Sequence, residues 1–355
     1  MLLTRYRLKN RQSQSPPVLC IHGYSASGTT FAHSTLYGGK GKKGGLAAYL
    51  ADNGREVWVL DMRSSCALSG GTSPWTFEDM AFKDIPLAIS QVCKISGHSK
   101  VDVVTHCMGG VMLSMTLLGE PKNSMDRDRT KNTHNEIRNI ALSQAGPFLK
   151  FTSANTLRAY VLNYVRKLMP KNGFEFSPSD PNSQINTLLD RLLYTIPYTD
   201  KTEYKAENPL LRNTYWVRAR HRMDALYGRA FNLRNMHSKT LKNIDDFFGP
   251  MSFQTLEQTL WLSKRKQLSD WEGHSYHLKK QNFTTRWNHP TLWIHGEKNG
   301  LIDPISPSLT ALICDEQNLS NFKFKIIADM GHQDCLMGKN CEVTFRAIAE
   351  HLNEE

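Results

Sequence analysis

The chain lacks the features that mark membrane, secreted and dinucleotide-binding proteins. No stretch of its 355 residues approaches about 18 uncharged apolar residues, so no transmembrane helix is expected. Only three apolar residues precede the first arginine, which argues against a secretory signal peptide. No G-x-G-x-x-G fingerprint follows an early strand, so a dinucleotide-binding half is not expected. Internal repeats and low-complexity tracts are also missing.

Cysteine is present, but its spacing indicates neither a disulfide framework nor a metal site. The seven cysteines are an odd number and contain no Cys-x-x-Cys pair. The cluster of His332, Asp334 and Cys335 also lacks the ligand spacing of a zinc site. We therefore expect reduced thiols, a cytoplasmic location, no metal and no other cofactor.

Positive charge is concentrated in one region of the chain. The formal net charge is +11, and residues 147–285 contain 21 Lys or Arg against 12 Asp or Glu. Such a region could attract anionic lipid headgroups, a nucleotide-bearing thioester or nucleic acid, or it could be ordinary solvated surface. No nucleic-acid-binding module or regular basic-aromatic array is visible, so nucleic acid is not expected as a partner.

Outside that region, apolar strands alternate with amphipathic helices. Strands are predicted at residues 4–10, 17–22, 56–61, 101–106, 137–143, 290–295 and 322–328. Helices are predicted at 45–53, 78–95, 111–118, 306–316 and 341–352, and the polar residues 121–136 are expected to form a surface excursion. This alternation predicts a mostly parallel sheet with helices on both faces.

Residues 147–285 interrupt the alternation and are predicted to form a helical cap. Helical patterns occur at 155–169, 185–194 and 253–265. Aromatic residues are frequent there, namely Tyr160, Tyr164, Phe174, Phe176, Tyr215, Trp216, Tyr227, Phe231, Phe247, Phe248, Trp261 and Trp271. Ligands bind at the carboxyl ends of the strands in α/β sheets, where such an insertion can close over them. We therefore expect a core at 1–146 and 286–355, and a cap at 147–285.

The most informative segment joins a predicted strand to a predicted helix. The apolar run Val101–Val104 leads into Thr105-His106-Cys107-Met108-Gly109-Gly110. A nucleophile at the tip of a sharp strand-to-helix turn requires small residues behind it, so that the helix can pack closely. The helix N-terminus would favour a thiolate at Cys107. Cys107 is thus a candidate nucleophile, although a buried inert cysteine is the alternative.

Three further segments occur in the order that such a nucleophile requires. His22-Gly23 follows an early strand, where an oxyanion-hole loop is expected, and Gly331-His332 follows the last strand. Residues 290–299 read as the strand and turn that deliver the acid of a catalytic triad. The order nucleophile, acid, histidine is that of the G-x-S-x-G hydrolases. His332 is therefore the candidate partner of Cys107, and His22, His106 and His295 are expected to be structural.

These motifs give the chain a family resemblance over nearly its whole length. It resembles α/β-hydrolases, and more narrowly the hydrolase-like domains fused to, or encoded beside, cholesterol-oxidase-like flavin oxidoreductases. The segments that carry this resemblance are His22–Ser25, Val57–Arg63, Asp84–Pro86, His106–Gly110, Ser143-Gln144 and Gly331–Cys335. The resemblance implies an α/β-hydrolase fold, lipid or ester chemistry and a functional association with a flavin oxidoreductase.

The third member of the triad is the point at which the chain departs from that pattern. Asn299 occupies the position that usually holds the aspartate, with Asp303 four residues on and Glu297 two residues before. An amide that only orients the histidine is sufficient in Cys-His-Asn proteases. Asn299, Asp303 and Glu297 therefore all stay open as the third member. The backbone N–H groups of Tyr24 and Met108 are the candidate oxyanion donors.

The combination predicts hydrolysis of a carboxylic ester or thioester with a hydrophobic acyl group, through an acylated Cys107. Transfer of the acyl group to an alcohol or thiol is an alternative, as in polyhydroxyalkanoate synthases, which also use cysteine at this turn. A lipid- or sterol-binding module without activity is a further alternative, because an asparagine stands where the triad acid is expected.

Overall fold

The computed structural model describes residues 1–8, 13–157, 175–176, 180, 182–195, 222–224, 226, 228–275, 278–316 and 320–354. Most of the predicted helix at 155–169 lies outside the described residues. So do the aromatic residues Tyr160, Tyr164, Phe174, Tyr215, Trp216 and Tyr227.

A single seven-stranded sheet forms the centre of the described structure. Its strands are β1 (Leu2–Tyr6), β2 (Val18–Ile21), β3 (Val57–Asp61), β4 (Val101–His106), β5 (Ile137–Ser143), β6 (Thr291–Gly296) and β7 (Phe322–Ile327). Their spatial order is β1-β3-β2-β4-β5-β6-β7, and only β1 runs antiparallel to its neighbour. The prediction of a mostly parallel sheet is confirmed.

Helices connect these strands and cover the sheet. The described helices are α1 (Gly45–Asp52), α2 (Phe77–Asp79), α3 (Ile85–Ser96), α4 (Met108–Leu118), α5 (Ser124–Glu136), α6 (Gln184–Thr195), α7 (Ser238–Lys242), α8 (Phe253–Arg265), α9 (Lys280–Arg286), α10 (Ile305–Glu316), α11 (Asp334–Met337) and α12 (Glu342–Leu352). A π-helical turn, Met80–Asp84, joins α2 to α3. Within residues 147–285, α6 and α8 coincide with two of the predicted helical patterns.

The first strand begins earlier than expected, because its bounds are set by pairing. β1 pairs antiparallel with β3, with Leu2 opposite Asp61 and Tyr6 opposite Val57. The prediction placed this strand at 4–10 from local alternation alone. The observed position of β1 is set by its register with β3, which is distant in sequence. The local residue pattern does not indicate which strand will be the partner.

Most of the segment 121–136, which was predicted to be a surface excursion, forms the helix α5, and most of its side chains are exposed at the surface. The Asn123 side chain caps the helix by accepting the Asp126 N–H at 3.0 Å. The buried residues Asp126, Thr130 and Thr133 face the protein. The helix therefore packs through small polar side chains whose hydroxyls bond to the helix backbone, so the apolar periodicity that identifies most helices is missing.

The central strands are buried along their whole length. Every residue of β2, β3, β4 and β6 is buried, as expected for parallel strands covered on both faces. Asp102, within β4, is paired with Arg55 and with Arg138, whose Nη2 lies 2.7 Å from its carboxylate. These pairs neutralise a charge that would be costly to bury alone.

Two glycines allow α4 to pack against the ends of neighbouring strands. A Cβ on Gly109 would lie 2.6 Å from the Ile21 carbonyl oxygen, and a Cβ on Gly110 would lie 2.2 Å from that of Ala145. Both obstacles are backbone atoms, which cannot rotate away. The helix behind Cys107 can therefore sit at this distance only if these positions have no side chain.

The described residues include no helix that is both long enough and apolar enough to cross a bilayer. All seven cysteines are free thiols in this structure.

We expect Gly110→Ala to destabilise the protein, although alanine favours helices over glycine by about 1 kcal/mol. Displacement of α4 from Ala145 should outweigh that gain, because overpacking a tight contact costs about 1–3 kcal/mol or more. Unfolding in urea measures the difference.

Gly70→Ala is the matched control. A Cβ there would have its nearest contact, the Ser73 hydroxyl, at 3.9 Å, so its free energy of unfolding should stay within about 0.5 kcal/mol of the wild type. Equal stability of the two variants would contradict the packing argument.

Candidate active site

Cys107 lies in a strained turn between β4 and α4. Its backbone has φ 55° and ψ −133°, a conformation that side-chain-bearing residues rarely adopt and that costs of order 1–3 kcal/mol. Two backbone hydrogen bonds hold the turn: the Cys107 N–H donates to the Ser143 carbonyl at 2.9 Å, and the Gly110 N–H donates to the Cys107 carbonyl at 2.9 Å. The half-buried thiol is thereby presented at the carboxyl end of the sheet.

The loop after β2 lies directly against this turn. A Cβ on Gly23 would be 2.9 Å from Cys107 Cβ, 3.2 Å from its Sγ and 3.4 Å from the Met108 nitrogen. The His22 ring fixes the loop, because Nε2 accepts the Met62 N–H at 3.2 Å and Nδ1 contacts the Gly23 carbonyl. The absence of a side chain at Gly23 thus brings the backbone that leads to Tyr24 next to the thiol and to the Met108 N–H.

The loop after β7 carries His332 to the same end of the sheet. Asp334 holds this loop: its carboxylate accepts the N–H groups of Gly331 at 2.9 Å and Asn232 at 3.0 Å, and the Asn235 amide at 2.8 Å. The Cys335 thiol donates to the His332 carbonyl at 3.1 Å. These bonds commit the carboxylate and the thiol to holding the His332 loop in place.

Asn299, rather than Asp303 or Glu297, lies beside His332. The Asn299 Nδ2 is 3.1 Å from His332 Nδ1. Asp303 forms an ion pair with Lys150 at 3.3 Å and accepts the first N–H of α10. Glu297 accepts the Asp329 N–H at the surface. Of the three candidates, the described structure therefore brings only the Asn299 amide into contact with the His332 ring.

A largely apolar pocket opens above Cys107 and His332. The residues that line it include Tyr24, Met108, Phe151, Met223, Leu226, Ala230, Phe248, Leu256, Leu260, Leu301 and Ile302, with polar atoms from Asn155, Thr259, Ser263 and Gln333. More than half of these residues come from 147–285. The region predicted to be a cap thus supplies much of the wall of the pocket that the thiol also lines.

The resting charge state of the site differs from the expected thiolate. Burial raises the pKa of the Cys107 thiol to about 12, although the Met108 N–H acts in the opposite direction. Burial, with the nearby His106 and His295, holds the pKa of His332 well below its usual range. The loss of hydration outweighs the favourable end of the helix dipole, since no opposite charge among the described residues compensates for it. The pair rests as a neutral thiol and a neutral imidazole.

Sequence reasoning missed the polar residues behind the histidine. Gln144 accepts the Gly296 N–H at 3.0 Å and the Asn299 amide at 2.9 Å through the same oxygen. His106 bonds to Gln333 at 3.0 Å, and its ring centre is 5.2 Å from that of His332. The segment Ser143-Gln144 carried the family resemblance, but nothing in its position after a strand indicated contact with residues 155 positions away.

We expect the protein to lose stability as the pH falls from 6.5 to 4. Burial lowers the pKa of His106 and of His295 to about 4, so the unfolded chain binds more protons than the folded one in this interval. At pH 5.5 each histidine should cost about 1.4 kcal/mol relative to pH 7.5, or roughly 3 kcal/mol together.

Urea unfolding at each pH measures this dependence. His106→Gln should remove about one proton from the proton uptake on unfolding near pH 5.5. A free energy of unfolding that is constant between pH 7.5 and 5, or an unchanged slope in the variant, would show that these rings are not held neutral.

The thiol pKa gives a second expectation, the pH dependence of alkylation. The rate of iodoacetamide modification at Cys107 should rise about tenfold per pH unit from pH 7 to at least 9, because only the thiolate reacts. Peptide mapping by mass spectrometry measures the rate at this site, with Cys107→Ala confirming the peptide. A rate that is already constant between pH 6 and 8 would instead indicate a thiolate–imidazolium pair.

Comparisons with known proteins agree with this architecture. A family model of the alpha/beta hydrolase fold matches residues 16–338. Among solved structures, a soluble variant of monoglyceride lipase from Saccharomyces cerevisiae, in complex with a substrate analog, superposes with a TM-score of 0.55 at 14% identity, covering 99% of this chain and 90% of that one. Monoacylglycerol lipase from Paleococcus ferrophilus superposes with a TM-score of 0.50 at 15% identity, covering 99% and 98%. A search of curated protein sequences finds no significant match.

At these identities the solved structures show a common fold and nothing finer. The family model, however, spans β2 to the end of the His332 loop. With the mostly parallel sheet and the strand-to-helix turn at Cys107, it shows that the chain belongs to the alpha/beta hydrolase fold family.

Proposed function

We propose that the protein cleaves carboxylic esters or thioesters with a hydrophobic acyl group through an acyl-enzyme at Cys107. The observation that carries this proposal is the strained backbone of Cys107, which presents the thiol to an apolar pocket that His332 also lines. Strain of this kind persists where the surrounding structure enforces it, and it concentrates at functional sites.

In the first step the Cys107 sulfur bonds to the acyl carbon, and the bond from that carbon to the leaving oxygen or sulfur breaks. The thiol proton passes through His332 to the leaving group. The developing oxyanion would be held by the backbone N–H groups of Met108 and Tyr24, and loss of one such donor costs about 3–4 kcal/mol of transition-state stabilisation elsewhere. In the second step water bonds to the acyl carbon, the carbon–sulfur bond breaks, and a water proton returns to the thiol.

The pocket supports the substrate class. Most of its lining side chains are apolar, among them Phe151, Leu256 and Leu260, and Cys107 and His332 line the same pocket. An acyl chain would bury its methylene groups at about 0.8 kcal/mol each, with its carbonyl at the thiol. Transfer of the acyl group to an alcohol or thiol in place of water uses the same first step. The family resemblance further leads us to propose a flavin oxidoreductase as a functional partner.

One observation favours a second candidate, binding of a carbonyl-containing lipid without turnover. Burial keeps both the Cys107 thiol and the His332 ring neutral, and the acid position of the site is an amide. A site of this kind can donate hydrogen bonds to a carbonyl while attacking it slowly.

Trapping of the acyl-enzyme separates these candidates. Incubation with aryl thioesters of increasing chain length should add one acyl mass to the Cys107 peptide, and turnover should rise with chain length. Cys107→Ala should abolish the adduct and lower turnover by at least about 10³-fold, as loss of a nucleophile does elsewhere.

Cys66→Ala is the matched control, because Cys66 is also half-buried but does not line the pocket. It should retain both adduct and turnover. Faster release of the adduct by an added alcohol or thiol would identify an acyltransferase. If the wild type and Cys107→Ala bind the substrate equally and neither forms an adduct, the protein is a binding module and the hydrolase proposal is wrong.

A further inference from the structure

The orientation of the Asn299 amide is fixed by the backbone around it. Its Oδ1 accepts the N–H groups of Leu301 at 2.9 Å and Ile302 at 3.0 Å. If the amide were turned over, its NH₂ group would face two N–H donors, and all of them would be buried without acceptors. Asn299 is itself buried, so this arrangement is excluded by the cost of unsatisfied buried donors.

Gln144 fixes the same orientation of the Asn299 amide from its other side. The Gln144 Oε1 accepts the Gly296 N–H at 3.0 Å, which identifies that atom as the oxygen. The same oxygen accepts one hydrogen of Asn299 Nδ2 at 2.9 Å. Two independent sets of backbone donors therefore agree that the nitrogen of Asn299, and not its oxygen, lies on the side of Gln144 and His332.

The second hydrogen of Asn299 Nδ2 is directed at His332 Nδ1, 3.1 Å away. A donor on one side of this contact requires an acceptor on the other, so Nδ1 must be unprotonated. The proton of the neutral ring is then on Nε2, which has no hydrogen-bond partner among the described residues. We propose that Gln144 and Asn299 are positioning residues that hold His332 in its Nε2–H tautomer and thereby restrict the activation of Cys107.

In this tautomer Nε2 already carries a proton, so this nitrogen cannot act as a base. In a catalytic triad the third residue accepts the Nδ1–H, which leaves Nε2 free to take the proton of the nucleophile. At rest, His332 instead offers an Nε2–H donor, which suits a substrate carbonyl or leaving group and cannot accept the thiol proton. Deprotonation of Cys107 requires the other tautomer, in which the Nδ1–H would face the Asn299 N–H.

No described neighbour of His332 reverses this preference. Its described neighbours are the rings of His106 and His295 and the thiol of Cys335, and none of them is an anion at neutral pH. The inference rests on the proposed function only in treating Cys107 as the group to be activated. The tautomer itself follows from the hydrogen bonds, and it can be measured without any substrate.

The direct test is nitrogen NMR of the protein labelled with [¹⁵N]histidine, in which long-range couplings to the ring protons distinguish the two tautomers. His332→Asn identifies the signal of His332. The expected result between pH 6 and 8 is a neutral ring protonated on Nε2. A ring protonated on Nδ1, or an imidazolium, would overturn the proposal whatever activity the protein has.

Asn299→Asp tests the consequence for turnover. One carboxylate oxygen keeps the Leu301 and Ile302 donors, while the other becomes an acceptor for an Nδ1–H and opposes the Gln144 oxygen unless that amide turns. The His332 signal should move to the Nδ1–H form and titrate at higher pH. The kcat on an aryl thioester should rise by tenfold or more, with KM changed less than about threefold. In serine proteases the reverse change, Asp to Asn, imposes the wrong tautomer and lowers kcat by about 10⁴.

Asn53→Asp is the matched control, since it makes the same change at an exposed side chain on the end of α1. It should leave the His332 signal and kcat as in the wild type. A shift to Nδ1–H in Asn299→Asp without a rise in kcat would show that the tautomer does not restrict activation. If neither protein hydrolyses any thioester while the wild-type ring is Nε2–H, the tautomer assignment holds and the proposed function fails. If Asn299→Asp does not fold, the wild-type spectrum still decides the assignment.

Discussion

The site depends on how closely backbones approach one another around Cys107. Positions 23, 109 and 110 have no side chain, and at each of them a single methyl group would collide with the thiol or with a carbonyl oxygen of a neighbouring strand end. The ends of β2, β4 and β5 therefore lie in direct contact with the start of α4. The positive φ of Cys107 is tolerated because the hydrogen bonds and packing on either side leave the turn no other conformation. The position of the thiol therefore depends on how all of these segments pack at the carboxyl end of the sheet.

The polar part of the site is organised differently, through directional bonds. Gln144, Asn299 and the backbone of residues 296–302 form a network in which the side-chain oxygens of Gln144 and Asn299 each accept two hydrogen bonds. Such a network determines which atom faces His332, whereas packing determines only where the ring lies. The same fold that in other sequences presents a carboxylate to its histidine here presents an N–H group, so the protonation of the ring depends on two amides.

The sequence predicted the sheet, most helices and the residues that meet at Cys107, since each of these follows from a local pattern. Apolar runs mark β4 and β6, and the small residues after Cys107 mark the turn. The helix α5 was missed, because its buried face consists of Asp126, Thr130 and Thr133 rather than apolar side chains. The choice among Asn299, Asp303 and Glu297 also could not be made from spacing. All three lie within one loop, and only its folding against Gln144 separates them. The resting charge of the thiol was mispredicted, because a helix terminus is visible in sequence whereas loss of hydration is not.

The carboxylate of Asp334 has a mechanical consequence. It joins the His332 loop to residues 232–235, which continue from the pocket wall at Ala230. The Gln333 N–H donates to the Ala230 carbonyl, and the Lys339 N–H donates to the Asn235 carbonyl. The wall and the histidine are therefore parts of one hydrogen-bonded unit. Any molecule in the pocket that pushed this wall outward would therefore also displace the His332 ring, so the size of the bound molecule would set the position of the ring.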